Sequence, residues 1–586
     1  MRAKTAVPII VAGLLLMLLG IGQLTVWAPS ETVTAAVAQD AEAGPVTVIE
    51  SGARGGEAES VEVMVEAAGP FTLAVGRESD VDAWVGDAAR LTVTAVDGEN
   101  LQSEYIGGEE TVPDPGGSDL WIAEERGDGT LTYRWSAPVE GDWSILLAAD
   151  GTTPAPTQVS ITRPNDQSTP FALPLIISGA LVVVLGIALL LLSPRNRDGG
   201  RSEAAEGTRA YARRQDDAPR TGSTARFVSP TSVLLVTGLV GAGSFLAVAP
   251  GTAVTPTPST SAPASPTATA TATAPPTALA TGAPSAGSAA SGPPVVLESQ
   301  LERILDAIAG TVTDADAASD AELLAPRVSG AALAIRSGAY GVRAKDEGAE
   351  VPLLIAAKPL LLDLVPTDDE WPRTVVALTQ GTNNPVPQAL VLVQETPREN
   401  YRLVSAIQML PGTTFPSPPA PGATGPVPLD EAGALAVAPQ AAVASIADFL
   451  TTPGGDNAAT FEQNSFAEAI TGFQTGVVAD AGNSAADITF THQAEDEQTQ
   501  ALMTGDGGAM VFGYLNHTYS SVPKAEGDSI DLTGTVYQSL TGQEVSEQGI
   551  DVNYGEAVMM YVPPAGSDSK IRVIGAAQQL LSATLR

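Results

Sequence analysis

The sequence predicts a multi-domain membrane protein that combines an external all-β sandwich, three transmembrane helices and two α+β domains. Three observations support this fold class. The chain has three uncharged apolar runs of about 20 residues, its first acidic segment alternates in the manner of β-strands, and its terminal segment places helical stretches before strands twice.

The three apolar runs cover residues 7–27, 171–192 and 228–249. Each is long enough to cross a hydrocarbon core of about 30 Å as a helix. A buried helix of a soluble domain is the alternative for each run. That alternative is strongest for the third run, which is rich in Gly, Ser and Thr.

Charge predicts the orientation of these spans. The loop between the second and third runs has eight arginines and five acidic residues, whereas residues 28–170 carry a net charge of −20 and residues 295–586 one of −23. Because basic loops remain in the cytoplasm, we expect a multi-pass protein of the cell membrane with its major domains extracytoplasmic. The whole chain has a net charge of −38, which argues against a nucleic-acid partner. The expected partner is the lipid bilayer.

The first span has two possible fates. Ala36-Val37-Ala38 matches the A-x-A pattern of signal-peptidase sites, so cleavage there would remove the span. The apolar run is long for a signal peptide and the site lies about ten residues beyond it, so we favour a retained signal anchor.

The composition divides the chain into eight parts. In order, they are a transmembrane helix or signal anchor (1–27), an external β-sandwich domain (28–170), a transmembrane helix (171–193), a cytoplasmic basic loop (194–227), a transmembrane helix (228–249), a Pro/Thr/Ala-rich linker (250–294), a first α+β domain (295–415) and a second α+β domain (429–586). The linker cannot bury enough apolar surface to fold, and its prolines keep it extended.

The external β domain is predicted from alternation and turns. Residues 60–66 read SVEVMVE, which is the period-two pattern of a strand with one buried face. Further strands are expected at 71–75, 83–85, 91–96, 120–123, 131–135, 143–148 and 158–162. The stretch APVEGDWSILL at 137–147 resembles the last strands of pre-peptidase-type and carbohydrate-binding jelly rolls.

Two residue sets in this domain have both a structural and a functional interpretation. Four tryptophans could stack on sugars, but we favour a role in the core of a domain without disulfides: Trp84, Trp121, Trp135 and Trp143. Three acids could bind Ca²⁺, but we favour an acidic solvated loop: Asp80, Asp82 and Asp87.

The terminal region contains a possible internal repeat. Helices are expected at about 296–308, 321–345, 439–450 and 458–475. Strands are expected at 353–362, 374–380, 389–395 and 401–409, then near 487–493, 500–504, 509–520, 529–538, 556–562 and 571–579. Residues 389–410 parallel residues 557–580, which places Arg402 opposite Arg572 and Gln408 opposite Gln578. The order of helices followed by strands, twice over, resembles tandem NTF2-like (cystatin-like) domains.

The resemblance implies α+β folds used by isomerases, dehydratases and binding modules, and no functional residue is carried over from it. Six tyrosines lie in the region, and no motif marks any of them: Tyr340, Tyr401, Tyr514, Tyr537, Tyr554 and Tyr561. We expect a solvated turn for His492 with its following acids, and an acidic loop for Asp368-Asp369-Glu370. The sequon Asn516-His517-Thr518 is expected to be inert.

No catalytic, cofactor-binding or metal-binding residue is predicted, and two histidines without any cysteine make a multi-histidine metal site improbable. The layout resembles uncharacterised multi-span membrane proteins of actinobacteria, some of which carry a glycosyltransferase label that no motif here supports. We expect a non-enzymatic envelope protein that presents external modules to an envelope protein or glycan. The alternative is an envelope enzyme acting on glycans or lipids.

Overall fold

The computed structural model describes residues 2–28, 30–55, 60–139, 141–165, 169–191, 294–382, 384–417 and 424–586. The chain forms two compact units. One contains residues 1–29 and 167–260, and the other contains residues 30–166 and 261–586. The predicted third span, the basic loop and all but the last residue of the linker lie outside the described residues.

The first unit contains two apolar helices, α1 (Arg2–Leu24) and α3 (Ala172–Leu191). Both are long and apolar enough to cross a membrane, so the described residues hold two such helices where the sequence predicts three. Most of their large apolar side chains are exposed, as in Leu18 (62%) and Leu181 (65%). A lipid-facing surface explains such exposure.

The two helices pack against each other through small residues. A Cβ atom at Gly13 would lie 2.7 Å from the carbonyl oxygen of Gly179, and one at Gly20 would lie 2.7 Å from that of Ala172. The contacts therefore run antiparallel. On each helix the fully buried positions repeat every seven residues: Ala6, Gly13 and Gly20 on α1, and Ala172, Gly179 and Gly186 on α3. Small residues at this spacing let two membrane helices approach closely.

The second unit begins with an eight-stranded β domain. Its elements are β1 (Thr32–Ala36), β2 (Val46–Ile49), β3 (Ser60–Arg77), α2 (Glu78–Val85), β4 (Arg90–Asp97), β5 (Asn100–Ile106), β6 (Ala123–Ser136), β7 (Trp143–Ala148) and β8 (Gln158–Pro164). The strand order is β6-β3-β7-β2-β4-β5-β1-β8.

This sheet closes into a barrel, whereas the sequence predicts a two-sheet sandwich. The cause is the length of β3, which has 18 residues and a register shift between Glu66 and Pro70. The first half of β3 pairs with the end strand β8 and its second half pairs with β7, so β3 closes the strands from β7 to β8 into a ring.

Several predicted strands are confirmed and others are wrong. The strands at 91–96, 143–148 and 158–162 are present, while those at 60–66 and 71–75 form the single strand β3. The strand predicted at 83–85 is instead the end of helix α2. Acids in the first turn of α2 favour its N-terminus, and Gly86 ends it with a φ of 55°. Strands β1, β2 and β5 were not predicted.

The four tryptophans of the barrel lie in its core, as predicted. Trp84 is 1% exposed, and Trp121, Trp135 and Trp143 are fully buried. The rings of Trp84 and Trp121 meet edge to face with centroids 5.9 Å apart. Because these indoles are covered, they offer no platform for a sugar.

The remainder of the second unit comprises two α+β halves. The first contains α4 (Glu298–Ala318), α5 (Gly330–Arg343), β9 (Leu360–Leu364), β10 (Arg373–Gly381), β11 (Asn384–Gln394) and β12 (Arg402–Gln408). The second contains α6 (Pro439–Thr451), α7 (Ser465–Ala479), β13 (Ala486–Ala494), β14 (Gln500–Met503), β15 (Ala509–Pro523), β16 (Ile530–Asp531), α8 (Val536–Thr541), β17 (Val545–Ser546), β18 (Ile550–Val562) and β19 (Arg572–Leu585).

Helices precede a curved antiparallel sheet in each half, as the sequence predicts. The strand predicted at 529–538 is wrong, because Thr535 caps a short helix there by accepting a hydrogen bond from the Gln538 amide. The two sheets, β12-β11-β10-β9 and β13-β15-β18-β19, pack face to face. Their shared core includes Val391, Phe512 and Met559.

The internal repeat is visible in the pairing register. Val393 pairs with Arg402 in one hairpin, and Tyr561 pairs with Arg572 in the other. Each hairpin has a register shift at the equivalent place, between Val391 and Leu392 in the first and between Met559 and Met560 in the second. A β-bulge repeated at one position supports the sequence parallel between the halves.

A buried ion pair joins the barrel to the first α+β half. Arg373 Nη1 lies 2.7 Å from Asp80 Oδ1, and both side chains are 1% exposed. The Arg373 guanidinium also lies 3.6 Å from the centroid of the Trp371 ring. Beside this pair, Arg77 Nη2 contacts Asp369 Oδ1 at 3.1 Å.

A second set of contacts surrounds Asp119, which is 2% exposed. Its carboxylate pairs with Arg327 and accepts a hydrogen bond of 2.9 Å from the Tyr401 amide. Nearby, Arg398 donates to the carbonyl oxygens of Trp84 and Val85 at 2.8 and 2.9 Å. Segments 30–165 and 294–586 therefore form one body.

Candidate functional site

The most unusual group of side chains lies on the inner face of the second α+β sheet. His492 on β13 stands directly across from His517 on β15. Glu556 on β18 stands across from Gln578 on β19. In this sheet β15 and β18 are the central strands, and β13 and β19 lie beside them. Helix α6 lies against this face, since Thr451 at its end donates to the His492 carbonyl oxygen.

The three titratable side chains converge on one carboxylate oxygen. Glu556 Oε1 lies 2.9 Å from His517 Nδ1 and 3.6 Å from His492 Nε2, and it accepts a hydrogen bond of 2.8 Å from Gln578 Nε2. The imidazole rings of the two histidines stack with centroids 4.1 Å apart and planes 19° from parallel. Within the part of the chain that the structure describes, this is the one group of three or more His or acidic residues that could hold a metal ion.

The environment of this cluster is dry and keeps the carboxylate charged. Both histidine side chains are at most 2% exposed and Glu556 is fully buried. Burial raises the pKa of Glu556, but the adjacent imidazoles of His492 and His517, the second within hydrogen-bond distance, lower it by more, to about 2. Burial lowers the pKa of His492, and only part of that shift is offset by Glu556.

Three polar atoms of the cluster have no hydrogen-bond partner among the described residues. They are Nε2 of His492, Nε2 of His517 and Oε2 of Glu556. Buried polar atoms in native proteins are nearly always paired, so such a concentration calls for a specific explanation. In an acyl-transfer triad, a carboxylate holds one imidazole nitrogen and frees the other as a base, and His517 with Glu556 has that arrangement.

Aromatic side chains continue from the cluster along the same sheet face. His517 stacks on Tyr554 at 5.2 Å, and Phe490 stacks on Tyr519 at the same centroid distance. Phe473 of α7 packs edge-on against both Phe490 and Tyr519. The space between the sheet and the helices is therefore filled with side chains at this end.

The sequence interpretation of His492 is wrong. His492 lies within β13 and is 8% exposed, so it does not occupy the predicted solvated turn. His517 lies in the buried face of β15, within the sequon Asn516-His517-Thr518, and this burial does not contradict the expectation that the sequon is inert. The missed signal is Glu556, which interrupts the apolar run of β18 at the position that the repeat aligns with Gln388.

The first half has an uncharged counterpart of this cluster. Gln388 pairs with Gln408 across the first hairpin as Glu556 pairs with Gln578 across the second. Gln388 is 1% exposed, and Thr379 beside it is fully buried. At this aligned position the repeat therefore places a neutral amide in the first half and a carboxylate in the second.

A small pocket in the first half is the other candidate site. Its volume is about 240 Å³ and it is lined by Asp316, Ser319, Tyr340, Arg343, Val351, Pro352 and Leu354. The Asp316 carboxylate accepts two hydrogen bonds from Arg336 at 2.5 and 2.7 Å and a third from the Tyr340 hydroxyl. Burial and the Asp316 carboxylate raise the pKa of Tyr340 to about 12, so its hydroxyl stays protonated at neutral pH.

The acidic residues singled out from the sequence lie in the interface between the barrel and the first half. Asp80 pairs with Arg373, while Asp82 and Asp87 are exposed and do not converge with it on one site. Asp369 pairs with Arg77 and lies 3.5 Å from Arg373. The prediction of an acidic solvated loop is wrong for Asp80, which lies in α2 and is buried against Arg373. The acidic loop predicted for Asp368-Asp369-Glu370 is present and exposed ahead of β10, and Asp369 pairs from it with Arg77.

The comparisons with known proteins match only the part of the chain that contains the two α+β halves. No curated protein and no solved structure matches the chain significantly. Residues 293–584 match one family, described as "Domain of unknown function (DUF8094)". The match begins just before α4 and continues through both α+β halves, whereas the barrel and the two apolar helices lie outside it.

Proposed function

We propose that this chain is a membrane-anchored envelope protein that presents the barrel and the two α+β halves as one rigid binding or scaffolding body outside the cytoplasm. The observation that carries the proposal is the buried Asp80–Arg373 contact between segments separated by an apolar helix. Two segments that touch in this way must lie on the same side of the membrane.

This contact also supports a return crossing. If α3 crosses the membrane after the barrel, the chain has to cross again before α4 to bring Arg373 back to Asp80. The apolar run at 228–249 is the segment of suitable length, and the arginines before it favour a cytoplasmic loop between the two crossings. The acidic charge of both touching segments agrees with an extracytoplasmic location.

The small pocket of the first half and the filled space between sheet and helices in the second half favour binding over catalysis. The pocket of about 240 Å³ is smaller than the roughly 300–1,000 Å³ usual for small-molecule sites. The space between sheet and helices in the second half is filled by aromatic and histidine side chains. We infer that each half is an NTF2-like module used for binding, because its helices precede a curved antiparallel sheet.

The segment beside the small pocket is the binding surface that we expect a protein partner to use. Val351 is 66% exposed, Leu353 45% and Leu354 51%, and Tyr340 and Arg343 line the pocket below. Aromatic and arginine side chains next to apolar ones are the residues that dominate protein interfaces. An envelope protein is therefore the preferred partner and a glycan the second.

A photo-crosslinking amino acid at Leu353 tests this proposal in intact cells. We expect discrete covalent adducts from position 353, their loss when Val351→Asp is added, and none from the exposed control position Ser569. The alternative hypothesis of an envelope enzyme is supported if position 353 gives no adduct and the purified chain hydrolyses an envelope glycan or lipid. The Glu556→Gln variant should then lack this hydrolysis.

A further inference from the structure

We propose that His492, His517 and Glu556 bind a single divalent transition-metal ion between the sheet and helix α6. The ligand atoms of these three residues all lie within 4.8 Å of one another. A tetrahedral ion with ligands at about 2.1 Å holds any two of them about 3.4 Å apart. The three side chains therefore have to close around the ion to form the site.

The chemistry of the three ligands selects the class of ion. Two imidazoles and one carboxylate suit Zn²⁺ or Fe²⁺, whereas Ca²⁺ and Mg²⁺ prefer oxygen ligands alone. The chain has no cysteine, so softer thiolate sites are excluded throughout. A buried carboxylate also needs a positive partner, and a divalent cation supplies one without charging either histidine.

The unpaired atoms are those that a metal ion would use. Nε2 of His492, Nε2 of His517 and Oε2 of Glu556 have no hydrogen-bond partner among the described residues, and all three side chains are more than nine-tenths buried. A water molecule could pair with some of these atoms, but two imidazole nitrogens and a carboxylate oxygen are together the three protein ligands of an open Zn²⁺ site, in which water takes the fourth position.

Residues around the three ligands contact their polar atoms and hold the side chains in place. Gln578 donates to Glu556 Oε1 at 2.8 Å, and the Thr451 hydroxyl lies 3.4 Å from Nδ1 of His492. Such contacts orient metal ligands in known sites. The stacked rings set one requirement: because their planes are 19° from parallel, at least one imidazole turns so that its lone pair points at the ion.

Metal binding by the full-length, detergent-purified chain tests the proposal. After chelator treatment and dialysis, Zn²⁺ titration by calorimetry should give one equivalent per chain. Mass spectrometry of metals in the untreated protein should give the same stoichiometry. Co²⁺ in place of Zn²⁺ should give visible absorption from a site with nitrogen ligands.

Three variants make this test specific. Glu556→Gln and His517→Ala should weaken Zn²⁺ binding by about 100-fold or more, the upper end of what the loss of a supporting contact costs. Gln388→Ala, at the position of the first half that the repeat aligns with Glu556, should leave it unchanged. Glu556→Gln preserves side-chain shape, so it remains informative if His517→Ala fails to fold. Wild-type protein that binds no Zn²⁺, or variants that bind it equally tightly, would overturn the proposal.

Discussion

Asp80→Ala should destabilise the external body by about 3–5 kcal/mol, because it leaves the Arg373 guanidinium charged and buried without its partner. Asp369 lies 3.5 Å from Arg373 but is half exposed, so it replaces little of the lost interaction. On heating, the barrel and the first α+β half should then separate before the core of either part unfolds.

Intrinsic tryptophan fluorescence during heating of the detergent-solubilised chain measures this effect, since Trp371 and Trp84 lie beside the broken pair. Asp306→Ala is the matched control. It removes the partner of Lys358 in an ion pair whose side chains are 51% and 74% exposed, and such pairs contribute at most about 1 kcal/mol. Equal midpoints of thermal unfolding for Asp80→Ala and wild type would show that the buried ion pair does not join the barrel to the first α+β half.

The mature protein should retain residues 1–38, because cleavage after Ala38 would remove strand β1. That strand pairs with β8 along its whole length and with β5 at Ala36, so it closes the barrel. Ala35 and Val37 are buried in the barrel core, 1% and 5% exposed. The close packing of α1 against α3 supports retention independently.

Two shortened chains behind a cleavable signal peptide test this prediction. A chain that begins at Gln39 should fail to fold, because its barrel has two open strand edges. A chain that begins at Ser30 keeps β1 and should retain a folded barrel. Native protein whose N-terminal peptide starts at Gln39 and whose barrel resists protease would disprove retention.

The sequence predicted the parts of the fold that depend on local pattern. Apolar length identified α1 and α3, and the helix-then-sheet order of the two halves followed from periodicity. The barrel closure could not be predicted, because it depends on the bend of β3 between Glu66 and Pro70 and on pairing between strands far apart in the chain.

The candidate site was missed for a related reason. His492 and Glu556 are 64 positions apart and meet only through the register of β13, β15 and β18. The strand predicted near 487–493 includes His492, but the acids that follow suggest a solvated end of that strand. Nothing in the neighbouring sequence reveals that helix α6 covers the histidine. Asp80 and Arg373 are likewise distant in sequence, so the acidic residues seemed solvated when each was considered alone.

The cysteine-free chain permits a direct test of the central claim that segments 30–165 and 294–586 lie together outside the cytoplasm. Single cysteines replace Ser103 in the barrel, Ser569 in the second half and Ser202 in the arginine-rich loop. The first two positions are exposed. In intact cells, a membrane-impermeant thiol reagent should label the cysteines at 103 and 569, and should label the one at 202 only after permeabilisation. Labelling of only one of the two external positions, or of position 202 in intact cells, would contradict the account.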